Sequence, residues 1–327
     1  MEHQTFGFHG PYRVAVLAGG LSAEREISLK SGASVVRALT VRGHRAQLVD
    51  PRDVDLTQFP WQTVDIAFLA LHGTFGEDGH VQRQLAELGV RFTGSDADAS
   101  QLAMSKSAAK ERFHQYHVPT PTSVLVHQAD DFEHVRRLAE RIGYPLFVKP
   151  DAQGSSLGVT QVRSPDQLAA ALALCFQFDT FALLEAAIQG TEWTVGMLDR
   201  EPLPLIEIRT PREFFDYHAK YEDDATEYLF EFSIPTSVVQ AINKAAVTAC
   251  EAISTSGLVR VDLRLDRRND PWVLEINTIP GLTDHSLIPK AAARVGMSLG
   301  QLCERTIILA LSAATQSATP HAVMPPK

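Results

Sequence analysis

The chain has 327 residues, of which 45% are hydrophobic and 21% are charged, a composition typical of globular rather than disordered proteins. This length is enough for roughly two or three domains and a large core. The formal net charge of -9 excludes a general nucleic-acid binder, because such a protein needs a basic surface to displace counterions from phosphates. Local basic pockets remain compatible with this charge.

The sequence favours a cytoplasmic protein. Its N-terminal segment, MEHQTFGFHGPYR, lacks a basic stretch followed by an apolar core, and no later window approaches about 18 uninterrupted apolar residues. We therefore expect neither a signal peptide nor a membrane span. Cys175, Cys250 and Cys303 lie far apart in apolar, helix-like contexts, without metal-ligand or redox spacing, so we expect plain buried thiols.

The first region alternates strands and helices. Residues 13–20, RVAVLAGG, predict a strand that ends in a turn, and residues 21–43 carry apolar residues at helical spacing. Strands at 45–50, 64–73 and 91–95 follow, with a helix at 81–89. This α/β alternation predicts a doubly wound parallel sheet, with ligands outside the carboxyl ends of its strands.

The second region mixes strands and helices as α+β domains do. It begins with one predicted helix at 99–117 and the turn VPTPT, and it continues with strands at 123–127, 145–150, 158–163 and 181–188 and helices at 131–143 and 165–178. The third region carries strands at 192–198 and 203–209, a polar loop, a helix at 238–255, paired strands at 258–266 and 272–277, and a closing helix. The tail after Ala313 is rich in small residues and proline and should be frayed.

Acidic residues interrupt the last pair of predicted strands. Period-two alternation puts Arg260 and Asp262 on one face of the first strand, and Glu275 and Asn277 on one face of the second. If the strands form a hairpin around RRND, Asp262, Glu275 and Asn277 converge as oxygen ligands that suit Mg²⁺. A metal would compensate Glu275, whose unpaired burial would cost several kcal/mol, roughly. The alternative is a half-exposed strand pair with alternating polar residues.

Two further stretches could contact a nucleotide. FVKPDAQGSSLGV places a lysine on a strand before a Gly- and Ser-rich loop whose amides and hydroxyls could wrap phosphate oxygens, although a surface turn fits equally well. It matches neither a Walker A loop nor a dinucleotide-binding glycine pattern. LLEAAIQGTEWTV carries Glu185 and Glu192, which could take an adenine amine and ribose hydroxyls. In isolation, two exposed carboxylates are the simpler interpretation.

Two loops follow strands of the first region. In GGLSAEREISLKSG, Ser22 or Glu24 could bind a ligand, or could simply cap the helix and complement its dipole. In LHGTFGEDG, His72 lies in a glycine-rich loop at the carboxyl end of a strand. His72 could be a structural histidine, but the position slightly favours a functional role.

Taken together and in this order, these stretches resemble the D-alanine–D-alanine ligases of the ATP-grasp superfamily. The resemblance runs from about Arg13 to Leu311 and is carried by VLAGGLSAEREISLKSG, ALHGTFGEDG, FTGS, MSK, VKPDAQGSSLGV, FDYHAKY, RVDLRLD, EINTIPGLTDHSLIP and AARVGMSLGQL. It implies an ATP-grasp fold with three α/β domains. The implied parts are an N-terminal Rossmann-like substrate domain at 1–103, a central ATP-grasp domain at 104–190, a C-terminal metal and catalytic domain at 191–315 and a flexible tail at 316–327.

The resemblance also implies an activity, its cofactors and its residues. The activity is ATP-dependent ligation of two D-alanines through a D-alanyl phosphate for peptidoglycan precursors, with ATP, two Mg²⁺ or Mn²⁺ ions, and a homodimer as the assembly. Glu24 would hold the first ammonium within a hydrogen-bonded set that includes Ser155 and Tyr221. The remaining roles are nucleotide contacts for Lys106, Lys149, Glu185, Ile188, Glu192 and Lys220, metal ligation for Asp262, Glu275 and Asn277, oxyanion stabilisation by Arg260 and the Gly281 amide, and substrate contacts for His72 and Ser286.

Some positions depart from the family pattern, and some alternatives stay open. The departures are Ala152, Gln153, Ala187, Ile279 and Asp284, which concern the grip on ATP and the choice of second substrate. A ligase for D-lactate or D-serine is one alternative, although Tyr221 favours the dipeptide. A catalytically silent nucleotide-binding protein is another alternative. The presence of Asp262, Glu275, Asn277 and Arg260 together argues against it, because such a protein would need none of them together. The long polar segment at 211–231 is expected to close over the site as a lid.

Overall fold

The computed structural model describes residues 11–211 and 225–317, and three β-sheets organise this part of the chain. The strands are β1 (Arg13–Leu17), β2 (Arg45–Val49), β3 (Ile66–Leu69), β4 (Ser123–His127), β5 (Leu146–Pro150), β6 (Thr160–Val162), β7 (Phe181–Ala186), β8 (Gly190–Leu198), β9 (Glu201–Pro202), β10 (Ile206–Arg209), β11 (Glu227–Leu229), β12 (Leu258–Asp266) and β13 (Pro271–Asn277). The helices are α1 (Arg25–Val41), α2 (His80–Glu87), α3 (Ala97–Met104), α4 (Lys106–Gln115), α5 (Phe132–Ile142), α6 (Leu168–Cys175), α7 (Thr236–Ile253), α8 (Leu287–Arg294) and α9 (Leu299–Ser317).

The first sheet is parallel, as the sequence predicted. Its strand order is β2-β1-β3, and Phe92 adds a parallel bridge beside Ala67. Residues 14–17 and 66–69 are buried throughout, which is the apolar pattern of a parallel strand covered on both faces. The carboxyl ends of β1 and β3 lead directly into the glycine-rich loops that carry Glu24 and His72.

The other two sheets are antiparallel and enclose the space between them. The second has the order β4-β7-β5-β6, and α5 and α6 pack on it through a buried aliphatic cluster. The third has the order β11-β10-β8-β12-β13, with β9 beside β8, and α7 covers one face of it. Most predicted strands are confirmed, but the strand predicted at 91–95 is wrong, because only Phe92 forms a bridge there, and the end of the predicted polar loop forms β11. The proposed domain boundaries stay a prediction.

The end of the chain returns to the first sheet. Helix α9 packs against α1 and β3, and its Leu302 and Ile307 share one core with Val16 and Phe68. The prediction that the chain frays directly after Ala313 is wrong, because helix α9 continues to Ser317. The Ala-Ala-Thr-Gln-Ser stretch contains good helix formers and no glycine or proline to stop the helix.

The predicted helix at 99–117 is two helices that meet at Ser105. Ser105 has extended backbone angles, its hydroxyl accepts a hydrogen bond from the Ala108 amide, and the same hydroxyl donates to Asp151 Oδ2 at 2.7 Å. This capping competes with a continuous helix, because serine side chains satisfy the first free amides of a new one. The break places Lys106 at the start of α4, beside the loop that follows β5.

The three cysteines and the apolar character of the helices bear on two predictions from the sequence. Cys175, Cys250 and Cys303 are free and buried, as predicted, and burial raises the pKa of the Cys175 thiol to about 12. Among the described helices, none is both long and apolar enough to cross a bilayer.

Candidate active site

The acidic residues of the third sheet lie together on one hairpin. β12 and β13 pair antiparallel and are closed by a turn in which the Asp266 amide donates to the Asp270 carbonyl. The register sets Arg260 opposite Asn277 and Asp262 opposite Glu275. Directly opposed residues of an antiparallel pair share a face, so the predicted hairpin is present and places these four residues on one face.

Asp262 is held by two neighbours. Arg260 donates from Nε to Oδ1 at 2.9 Å and from Nη2 to Oδ2 at 2.8 Å, and the hydroxyl of Thr194 on β8 donates to Oδ1 at 2.7 Å. Thr194 is completely buried and lies opposite Asp262 in the β8–β12 register. Sequence reasoning missed Thr194, because its partner strand is about 70 residues away and no local pattern marks it.

Glu275 also has a cationic neighbour. Lys106 Nζ lies 3.6 Å from Glu275 Oε2 and donates to the backbone oxygen of Gln153 at 2.6 Å. Gln153 belongs to the Gly- and Ser-rich loop after β5, so Lys106 connects that loop to the acidic hairpin. The partly exposed Glu275 carboxylate is therefore compensated by charge, which is what its position at the end of an apolar strand required.

Two cavities lie side by side at Lys106 and Glu275. The first, about 700 Å³ including space open to solvent, is lined by five of the residues expected at a nucleotide, namely Lys106, Lys149, Glu185, Ile188 and Glu192. The second, about 650 Å³ on the same basis, is lined by most of the residues expected at the amino-acid substrates, namely Glu24, His72, Ser155, Arg260 and Gly281. Ser286, also expected there, does not line it. Lys106, Gln153 and Glu275 line both cavities and form a shared wall.

Glu185 is not an exposed carboxylate, so the simpler interpretation of that stretch is wrong. Only 2% of its surface is exposed, and it lies between Lys149 at 2.5 Å and Lys110 at 2.7 Å. Burial alone would raise the pKa of Glu185, but the two ammonium groups outweigh burial and hold it below its usual range. Glu192 is also mostly buried and pairs with Arg264 at 3.3 Å.

Glu24 faces the loop that follows β5. It occupies the N-cap position of α1 but makes no side-chain capping bond, so the capping interpretation is wrong for its carboxylate. The Ser155 hydroxyl donates instead to Glu24 Oε1. Gly73 is required beside it, because a Cβ there would lie 2.7 Å from Glu24 Oε2, and its φ of +67° favours glycine.

A second carboxylate, Glu77, lies in the same cavity and was not predicted. Its Oε2 accepts a hydrogen bond from the Gly73 amide at 2.7 Å, and only 7% of the residue is exposed. Burial, followed by the neighbouring charge of Glu24, raises the pKa of Glu77 to about 8. The signal available in the sequence was the acidic residue of GEDG at the carboxyl end of β3.

His72 is a buried neutral histidine at the floor of the second cavity. Burial lowers the pKa of His72 to about 4, so the ring is uncharged at neutral pH. Its Nε2 lies 3.3 Å from Ser31 Oγ, and the same hydroxyl accepts a hydrogen bond from the Leu282 amide at 3.2 Å. His72 and Ser31 thereby connect α1 to the loop that contains Gly281.

The loop after β13 brings Gly281 next to Ser286. A Cβ on Gly281 would lie 2.9 Å from Ser286 Oγ, which accepts a hydrogen bond from the Thr283 amide at 3.0 Å. Asp284, one of the departures from the family pattern, lines neither cavity. It is 77% exposed and lies 3.8 Å from Arg37 on the surface.

Some predicted residues cannot be placed. Lys220 and Tyr221, and with them most of the lid predicted at 211–231, lie outside the described residues. Within the described ranges, no three side chains of His, Cys, Asp and Glu form a complete metal site. Two carboxylates and the Asn277 amide nevertheless fit a hard cation that keeps water or phosphate among its ligands, as Mg²⁺ usually does.

A nucleotide-sized cavity between two antiparallel sheets, joined to a cation-flanked acidic cavity, defines the ATP-grasp class of enzyme. A family profile described as D-ala D-ala ligase C-terminus matches residues 113–308. The chain is 42% identical over 304 residues to the D-alanine–D-alanine ligase of Bordetella avium, covering 92% of this chain and 93% of that protein. It is 43% identical over 303 residues to that of Ectopseudomonas mendocina, covering 92% and 94%.

Solved structures agree with this assignment. The ATP complex of the D-alanine–D-alanine ligase of Bacillus anthracis superimposes with a TM-score of 0.82 at 30% identity, covering 94% of this chain and 100% of that one. The VanG D-Ala:D-Ser ligase of Enterococcus faecalis gives 0.79 at 27% identity, covering 92% and 100%. The chain belongs to the D-alanine–D-alanine ligase family.

Proposed function

We propose that the protein joins two D-alanines into D-alanyl-D-alanine, with conversion of ATP to ADP and phosphate, for peptidoglycan precursor synthesis. The observation that carries the proposal is the shared wall of Lys106, Gln153 and Glu275 between the two cavities. Phosphoryl transfer requires the phosphate of a nucleotide in the first cavity and a carboxylate in the second to lie next to each other, and the shared lining residues make the two cavities adjacent. Family membership supports the same reaction.

The proposed reaction has two steps. A carboxylate oxygen of the first D-alanine forms a bond to the γ-phosphorus of ATP, the bond from that phosphorus to the bridging oxygen breaks, and ADP leaves. The ammonium of the second D-alanine then loses a proton to solvent, and the resulting amine attacks the carbonyl carbon. Its nitrogen gives up a second proton to solvent, the bond from that carbon to the phosphate oxygen breaks, and phosphate leaves. Glu24 is suited to hold the first ammonium, because its carboxylate lines the second cavity and is fixed by Ser155.

The remaining residues would stabilise charge. Arg260 and the Gly281 amide line the second cavity and are suited to the oxygen of the tetrahedral intermediate, where one lost donor typically costs about 10²–10³-fold in rate. Asp262, Glu275 and Asn277 would hold Mg²⁺, whose charge neutralises the phosphates during transfer. Lys106 and Lys149 line the first cavity and would add positive charge to it.

Product identification tests the proposal. Purified protein is incubated with ATP, Mg²⁺ and D-alanine, alone and in competition with D-lactate and D-serine, and the products are separated by mass spectrometry. We expect ADP formation that depends on D-alanine, and D-alanyl-D-alanine as the main product. ATP hydrolysis without any coupled product would overturn the proposal, and a D-alanyl-D-serine product would assign the chain the activity named for the Enterococcus faecalis ligase.

A further inference from the structure

Lys110 is a buried lysine for which the reaction described above has no use. It lies on α4 with 2% of its surface exposed and contributes to neither cavity. Its Nζ donates to Thr120 Oγ1 at 2.6 Å and to the Pro121 carbonyl at 3.1 Å, and it lies 2.7 Å from Glu185 Oε2. A lysine this deeply buried is rare unless it is paired with an opposite charge.

Three acceptors surround the Lys110 ammonium and favour its charged form, against burial, which lowers the pKa of Lys110 from its usual value. The Thr120 hydroxyl gives its proton to the Val273 carbonyl at 2.8 Å, so toward Lys110 it can only accept. The Pro121 carbonyl also only accepts. The third contact, with Glu185 Oε2 at 2.7 Å, joins two opposite charges, so its strength depends on the charge of both groups.

We propose that Lys110 is a positioning residue that keeps Glu185 a hydrogen-bond acceptor toward the nucleotide base, and thereby selects a 6-aminopurine over a 6-oxopurine. The inference rests on the proposed function, because it takes the cavity lined by Glu185 and Lys149 as the ATP site. Lys110 itself reaches Glu185 from behind the cavity wall and does not touch the base.

The selectivity follows from which partner carries a proton. The exocyclic amine of adenine donates, and an ionised carboxylate accepts from it. The C6 oxygen of hypoxanthine accepts, so it is matched only by a protonated carboxyl group. The protonation state of the Glu185 carboxyl group therefore decides which base is preferred. A wrong base leaves a polar group of the site without a hydrogen-bond partner, so it binds much more weakly.

The charged groups near Glu185 can be named for the described residues. Lys149 on β5 contacts Oε1 and Lys110 on α4 contacts Oε2, whereas Glu192 and Arg264 pair with each other in the same cavity, and Lys106 and Glu275 lie at its far wall. With both lysines, the pKa of Glu185 stays below its usual range despite complete burial. Without Lys110, one ammonium remains against the full effect of burial.

The experiment compares two nucleotides that differ only at C6 of the base. Binding of ADP and of inosine diphosphate, each with Mg²⁺, is measured by titration calorimetry at mildly acidic and mildly basic pH. The proteins are the wild type, Lys110→Met and the control Lys244→Met, which makes the same chemical change on an exposed helix position.

We expect the wild type and Lys244→Met to prefer ADP equally at both pH values. Lys110→Met should lose about tenfold of this preference at acidic pH, the factor of one hydrogen bond to a charged group, and less at basic pH. A merely structural lysine would weaken both nucleotides alike and leave their ratio unchanged at every pH, which would overturn the inference.

The outcomes also separate this inference from the proposed function. If the wild type itself does not prefer ADP, Glu185 does not recognise the base and the assignment of the first cavity fails. If the wild type prefers ADP and Lys110→Met keeps its ratio, only the role of Lys110 fails. Should Lys110→Met not fold, Thr120→Val decides, because it removes one acceptor from the buried ammonium. It should lower the ratio in the same direction at acidic pH, and an unchanged ratio rejects the role of Lys110.

Discussion

Replacing Thr194 by valine should weaken metal binding without unfolding the protein. The Thr194 hydroxyl lies 2.7 Å from Asp262 Oδ1 and is completely buried, so it fixes one oxygen of a carboxylate that we assign to Mg²⁺. Valine has nearly the same volume and a similar preference for strands, so β8 and its packing should persist. The main change is the loss of the hydrogen bond to Asp262, together with the longer contact of the same hydroxyl with the Val261 carbonyl at 3.3 Å.

The expected size of the effect follows from the contacts of Asp262. Loss of an outer-shell partner of a metal ligand typically costs about 10–100-fold in metal affinity or activity. Arg260 still holds Asp262 through Nε and Nη2 in the variant, so we expect the lower end, about tenfold weaker Mg²⁺ binding. The carboxylate keeps hydrogen-bond partners, so the melting temperature should change little.

Two assays and a matched variant test this. Mn²⁺ binding is followed by electron paramagnetic resonance, and the Mg²⁺ concentration that gives half-maximal turnover is measured in parallel. Thr194→Ser keeps the hydroxyl and should bind metal nearly as the wild type does. If Thr194→Val and Thr194→Ser have the same metal affinity, the hydroxyl does not orient Asp262 and the reasoning from the short contact is refuted.

Three further predictions concern charge, pH and specificity. Glu275→Gln should abolish turnover while the melting temperature is retained, and more than about a tenth of the wild-type rate at saturating Mg²⁺ would contradict the metal assignment. The pKa of Glu77 is raised from 4.5 to about 8. Between these two pH values the folded protein keeps a proton that the unfolded chain releases, so the free energy of unfolding falls as pH rises through this range. Thermal melts of Glu77→Gln should therefore show a stability advantage over the wild type that grows from acidic to mildly basic pH, and a constant difference would show that Glu77 ionises normally. On the family resemblance, Tyr221→Phe should raise the share of D-lactate coupling at lower pH, and an unchanged product ratio at all pH values would place specificity elsewhere.

The acidic hairpin could be predicted because its signal is local. Arg260, Asp262, Glu275 and Asn277 alternate at period two on adjacent strands, and a four-residue turn signal joins those strands. Once the hairpin forms, the pleat alone brings the side chains to one face. The parallel first sheet was predictable for a similar reason, since its strands are short apolar runs separated by helical periodicity.

The surroundings of the other carboxylates could not be predicted in this way. The sequence favoured an exposed Glu185, because its partners Lys110 and Lys149 lie far from it in the chain and only the folded structure brings the charges together. The burial of Glu77 depends on a loop closing against Glu24 and Gly154. The break at Ser105 was missed because helical periodicity continues through it, while the hydrogen bond to Asp151 that favours the break is not local.

The shared wall between the two cavities has a consequence for ligand design. Lys106, Gln153 and Glu275 line both cavities, so a molecule that occupies both must run past these three residues. Because the cavities are adjacent, the linker between its two halves can be short. Linking two weak ligands in this way can raise their combined affinity about 10²–10⁴-fold without a new contact, provided that the linker spans the gap. The Lys106 ammonium favours a linker with an acceptor or a negative charge, so a purely hydrocarbon tether should lose much of the gain.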